Sequence, residues 1–124
     1  MNINSRYGLP FIEVELIHKD KSVKCLNFLV DTGSASTVLA AEIAVQLDLG
    51  PEPNDVIREI RGVGGTEFVY EKYIDRIILG SKHMDNFKIQ IGDMDYGFDM
   101  DGIIGYNFLK ALKVLINFDE MEIE

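Results

Sequence analysis

What this chain of 124 residues lacks narrows its function before any motif is read. It has no tryptophan, one cysteine, two histidines and three prolines. A lone Cys25 cannot close an intrachain disulfide, so a reducing, cytoplasmic setting is expected. His18 and His83, with no second cysteine beside them, supply neither a zinc ligand set nor a Ser-His or Cys-His nucleophile pair. No metal or cofactor is therefore expected. Basic residues are also scarce: 12 Lys and Arg stand against 21 Asp and Glu, a net charge of −9 that no basic cluster interrupts. A nucleic-acid partner is not expected on that balance. No run approaches the roughly eighteen apolar residues of a membrane span, and the segment Met1 to Gly8 has no apolar signal core. A membrane partner is not expected either, and with no evident prosegment ahead of the first strand, activity is expected to need no processing.

What is present suits one globular domain over residues 1–124. Apolar residues make up 47% and charged residues 27%, enough for a modest core. Phe11 to His18 alternates, with Ile12, Val14 and Leu16 on one face and Glu13 and Glu15 on the other, the period of a half-buried strand. Val23 to Val30 follows after a turn at residues 19–22, and becomes apolar on both faces by Phe28-Leu29-Val30. Cys25 within it reads as a small buried hydrophobe, since no basic neighbour would stabilise a thiolate. Thr37 to Leu39 is a short strand. Ala40 to Leu49 shows helical spacing, ended by Gly50 and Pro51, with Ala40 a poor N-cap costing about 1 kcal/mol. Strands are expected over Val56 to Arg61, Thr66 to Tyr73, Ile74 to Leu79 and Phe87 to Ile91. A brief helix capped by Asn107 and two closing strands, Lys113 to Phe118 and Glu122 to Glu124, complete the chain. Short strands with glycine-marked turns and two short helices predict a small, mostly β, barrel-like fold.

Three stretches carry candidate chemistry. An apolar run drives into Asp31-Thr32-Gly33-Ser34, placing one acid at the tip of a buried strand, followed by a hydroxyl and a glycine that permits close approach. Gly62-Val63-Gly64-Gly65 suits the tip of a tight hairpin; as a phosphate cradle it fails, because Glu67 stands where a third glycine is needed. Asp101-Gly102-Ile103-Ile104-Gly105 lies near the C-terminus, after a run containing Asp93, Asp95 and Asp99. Calcium-loop spacing fails there, since Ile104 occupies the place of the bidentate Glu. A solvated acidic loop is expected.

In this order the three stretches resemble the retropepsin-like aspartic proteases, in the small single-domain form found outside viruses, from about residue 10 to the end. The resemblance implies a closed acid-protease barrel with a flap hairpin. It implies an aspartic endopeptidase acting on protein or peptide substrates, with Asp31 as the catalytic acid. A single Asp-Thr-Gly per chain implies a homodimer that brings two such acids together. Thr32 would then bond across the dimer axis and Gly33 would meet substrate backbone. Ser34 would either steady the carboxylate or serve the turn. Ile103, Ile104 and Gly105 would buttress the loop, the two isoleucines wedged against it, and Gly62, Val63, Gly64 and Gly65 would form the flap. Retroviral members brace this site with an Asp two residues after the motif glycine and an Arg after the Ile-Gly pair. Here those positions are Ala35 and Tyr106, so another brace is expected, with Tyr106 packed in the core. A catalytically inactive domain of the same fold, binding peptides or dimerising, is the alternative.

Overall fold

A computed structural model describes the chain apart from residues 63, 64, 95, 96 and 98, and at residues 61, 62, 65 and 66 it describes the backbone alone. Among the described residues, ten strands and two short helices follow one another as β1 (Asn4–Arg6), β2 (Leu9–His18), β3 (Lys21–Asp31), β4 (Val38–Ala40), α1 (Ala41–Gln46), β5 (Ile57–Gly62), β6 (Gly65–Leu79), β7 (Lys82–Gly92), β8 (Gly102–Gly105), α2 (Tyr106–Ala111), β9 (Ile116–Asn117) and β10 (Glu122–Ile123). The sheet order β1-β2-β3-β8-β4-β7-β6-β5 bends back on itself because β6 also pairs with β2. Six strands, β2, β3, β8, β4, β7 and β6, thus close a barrel. Closure removes the exposed edges that six open strands would present. Among the described residues, no helix is long and apolar enough to cross a membrane.

Alternation decides what fills the barrel. Ile12, Val14 and Leu16 of β2 are buried as expected, and with Cys25, Phe28, Ile74, Ile77, Ile89, Ile91, Ile104 and Phe108 they belong to the main core. Burial pushes the Cys25 thiol up to about 12, with the Asp101 charge adding to the effect. The two strands expected at residues 66–79 are one, because β6 switches neighbours without stopping: its first residues pair with β5, its later ones with β7 and β2. The polar Glu71-Lys72-Tyr73 segment in its middle sits where the strand enters the barrel.

Helix α1 ends earlier than expected. The Leu49 N–H donates to the Ala44 carbonyl at 2.8 Å and the Asp48 N–H to the Val45 carbonyl at 3.1 Å, while Asp48 takes a left-handed φ of 57°. This is a Schellman closure with Asp in the position glycine usually fills, so the helix stops before Gly50 and Pro51. At its other end Ala40 is the N-cap and makes no side-chain cap bond.

One irregularity prepares the site. Between Ile12 and Val14 the β2–β3 register slips, so that β3 carries an extra residue at Leu26-Asn27. Such a bulge turns backbone groups out of the ladder. The Asn27 N–H donates to the Asp101 carboxylate at 3.0 Å, and the Asn27 carbonyl accepts the Asp101 N–H at 2.9 Å. Asp101 also accepts the Ala40 N–H on its carbonyl at 2.9 Å. It therefore ties β3, β4 and the start of β8 together, which corrects the expectation of a wholly solvated acidic loop. Met94, in the same stretch, is buried.

Candidate active site

Asp31 ends β3, carried there by Phe28 and Val30, which are buried, and Leu29, which is half-buried. Beside it runs β8 in parallel, with Val30 opposite Ile104 and Asp31 opposite Gly105. The carboxylate is half-buried, and its Oδ1 accepts the Gly33 N–H at 2.9 Å. A side chain at 33 would crowd that oxygen, since an added Cβ would stand 3.3 Å from it. The Ser34 N–H closes the turn on the Asp31 carbonyl at 3.2 Å, leaving Thr32 and Gly33 exposed at the loop's tip. Ser34 itself serves the turn: its hydroxyl donates to the Ser36 carbonyl at 2.8 Å. The donor that orients the carboxylate is the Gly33 backbone N–H.

The buttress works differently from the expected wedge. Strand alternation sends Ile104 into the main core and Ile103 to the other side, into a small apolar cluster with Val38, Ala40 and Met94. Backbone groups of the turn after β8 also reach the Asp31 loop. The Tyr106 N–H donates to the Ser34 carbonyl at 2.7 Å, and Gly105 lies so close that an added Cβ would run into the Ser36 carbonyl.

Thr37, only 3% exposed, is buried at the end of this loop. Its hydroxyl accepts the Gly105 N–H at 3.2 Å and donates to Asn107 Oδ1 at 2.9 Å. Asn107 is not the cap of α2: the helix starts at Tyr106, so Gly105 holds the cap position without a side-chain bond and Asn107 lies inside the first turn, its amide oxygen bonded across the fold to Thr37. The bridge ties the end of the Asp31 loop to the Gly105 turn and the start of α2 through a neutral hydroxyl and amide. Sequence reasoning passed over Thr37 as a strand residue, since its partners lie some seventy positions away. Tyr106, expected in the core, is 52% exposed, with the Lys110 ammonium 5.8 Å from its ring centre.

The glycine hairpin joins β5 to β6, with Gly62 opposite Gly65. Val63 and Gly64, expected at its tip, lie outside the described residues. Ile60, on β5, packs against the small cluster that holds Ile103 and Val38, so the hairpin's inner face leans on the strands next to Asp31. Among the described residues, no group of three or more His, Cys, Asp or Glu could hold a metal ion.

A solved structure titled as a retropepsin-like aspartic protease from Rickettsia conorii resembles this chain with a TM-score of 0.68 and 21% sequence identity, covering 98% of this chain and 95% of its own. That likeness is one of fold. No curated protein sequence matches the chain. The sequence does match, over residues 21–111, the family described as "gag-polyprotein putative aspartyl protease". The matched span holds both the Asp31 loop and the Gly105 turn packed against it, and the chain belongs to this retropepsin-like aspartic protease family.

Proposed function

We propose that the chain is an aspartic endopeptidase whose site is completed by a second copy. The observation that carries this reading is the state of Asp31. It is held by Gly33 on a loop locked from behind, yet it is half-exposed in the single chain, with Thr32 and Gly33 open beside it. A locked loop with an open acid suits a site closed by another surface. Each copy carries one Asp-Thr-Gly, and a two-fold axis through the two loops pairs Asp31 with Asp31 of the second copy.

Two carboxylates that close cannot both ionise, so they share one proton. The ionised member takes a proton from the attacking water while the protonated one donates to the scissile carbonyl, stabilising the charge that develops there. General acid/base work of this kind is worth about 10² to 10⁴ in rate, and positioning and exclusion of water under the hairpin supply much of the rest. In this reading Thr32 bonds across the axis, the Gly33 backbone meets the substrate, and Gly62 to Gly65 cover it. The whole of residues 1–124 acts as one domain, and the lone buried thiol suits the cytoplasm.

The test is turnover of a mixed peptide library from acidic to neutral pH by the wild type and by Asp31→Asn. Cleavage that peaks below neutral pH, stops with a transition-state analogue and is absent in the mutant is expected. Excess Asp31→Asn protein, equilibrated with wild type, should also suppress activity by forming mixed dimers. Turnover retained by the purified mutant would sink the assignment. A folded wild type that binds peptides without cleaving them would favour the non-catalytic alternative.

A further inference from the structure

β6 belongs to both the glycine hairpin and the barrel, and its neighbours change at Tyr70. From Tyr70 onward it lies on β7, the first pair being Tyr70 with Ile91; from Tyr70 back to Gly65 it is paired with β5. The hairpin thus projects as an arm rooted at residues 70–72. Whatever holds those residues sets the arm's angle.

Three consecutive residues at the root are stapled to the loop between α1 and β5. The Tyr70 hydroxyl donates to the Leu49 carbonyl at 3.1 Å and the Glu71 N–H to the Val56 carbonyl at 3.0 Å. Lys72, its side chain 10% exposed, places Nζ 2.8 Å from Asp55 Oδ1 and 2.7 Å from Glu52 Oε1. The loop is built to receive it. Asp55 accepts the Glu52 N–H on Oδ2 at 2.6 Å and returns its own N–H to the Glu52 carbonyl at 3.1 Å, so one carboxylate closes its own turn and holds the ammonium. An ammonium drawn out of water is costly unless it is paired and hydrogen-bonded. Lys72 meets that condition only while the loop stays docked. The bond from Lys72 in turn holds the Asp55 carboxyl below its ordinary range. On the strand's other face Glu71 sits 3.5 Å from Arg58 Nε and 3.9 Å from Lys88 Nζ.

Resting on the reading of the hairpin as the cover of an Asp31 cleft, we infer that Lys72 is a positioning residue: with Asp55 and Glu52 it forms an ionic root that sets how closely the hairpin lies over a bound peptide. It touches neither substrate nor the reacting water. Its loss should weaken substrate binding and leave the chemical step largely intact.

The experiment compares wild type, Lys72→Met, Lys72→Arg and Asp55→Asn by peptide kinetics and by amide hydrogen exchange. Lys72→Met should raise KM by about tenfold with kcat within about twofold. Amide exchange over residues 57–70 should quicken by about tenfold, with Ile12, Val14 and Ile89 in the barrel unchanged. Lys72→Arg should recover most of both effects, and Asp55→Asn, which leaves the buried strand untouched, should reproduce them if Lys72→Met fails to fold. Loss of kcat at unchanged KM, unchanged hairpin exchange, or an Arg variant as impaired as Met would each overturn the inference. If wild type cleaves no peptide, the proposed function fails. Hairpin exchange then still decides, by itself, whether the ionic root holds the arm.

Discussion

Replacing Thr37 by Val exchanges a hydroxyl for a methyl of nearly the same volume, so whatever changes is due to hydrogen bonding. The hydroxyl accepts from the buried Gly105 N–H and donates to Asn107 Oδ1. In Thr37→Val the Gly105 N–H is left without its acceptor, a cost of about 1–3 kcal/mol for a buried donor. Asn107 is half-buried and regains a partner from water, adding under about 1 kcal/mol. Valine has no hydroxyl to desolvate, which offsets part of the sum, and a net loss of about 2 kcal/mol results. For a chain of this length that lowers Tm by about 6–10 °C. Urea and thermal unfolding measure it, with Thr37→Ser as the control that keeps both bonds and loses only a methyl, at about 1 kcal/mol. A double-mutant cycle with Asn107→Leu should show a coupling of about 1 kcal/mol, because the two side chains share one bond. Should the two Thr37 variants be equally stable, or should Thr37→Val lie within about 0.5 kcal/mol of wild type, the bridge has no structural role and the reasoning fails.

Gly105→Ala keeps an ordinary backbone, φ −90° and ψ 176°, but drives its new methyl into the Ser36 carbonyl; a destabilisation of about 1–3 kcal/mol is expected. Equal melting curves for mutant and wild type would show that the loop yields freely. Asp48→Gly should stabilise the protein by about 0.5–1 kcal/mol in urea titrations, since glycine adopts the left-handed conformation at the end of α1 without the Cβ penalty. At Cys25 the folded thiol is held neutral from its ordinary 9.0 up to about 12, so the unfolded chain loses its proton first. The contribution is complete below the unfolded value and lost as pH rises toward 12. The urea midpoint of wild type should accordingly fall more steeply above pH 9 than that of Cys25→Ala, and parallel curves would contradict the burial argument.

What the amino-acid sequence determined by itself is whatever depends on neighbours along the chain. Alternation in Phe11 to His18 settled which face of β2 is buried. The apolar run into Asp31 settled that an acid stands at a strand end, and the three ordered motifs settled the family and the closed barrel. The tertiary structure alone decided features whose partners are distant in sequence. Asn107 looks like a cap because its local setting is a helix start, yet the helix begins at Tyr106 and the Asn107 amide oxygen accepts the Thr37 hydroxyl from across the fold. Ile103 and Ile104 look like one wedge, but a strand turns them to opposite sides, while the Tyr106 N–H bonds the Ser34 carbonyl of the Asp31 loop. Asp101 reads as one of several solvated acids until a bulge in β3 aims the Asn27 N–H at its carboxylate. Lys72 reads as an ordinary strand residue until Asp55 and Glu52 reach its ammonium from a separate loop. In each case the deciding partner is a polar group brought close by folding. Hydrophobic periodicity records which side of an element is buried and carries no record of such pairings.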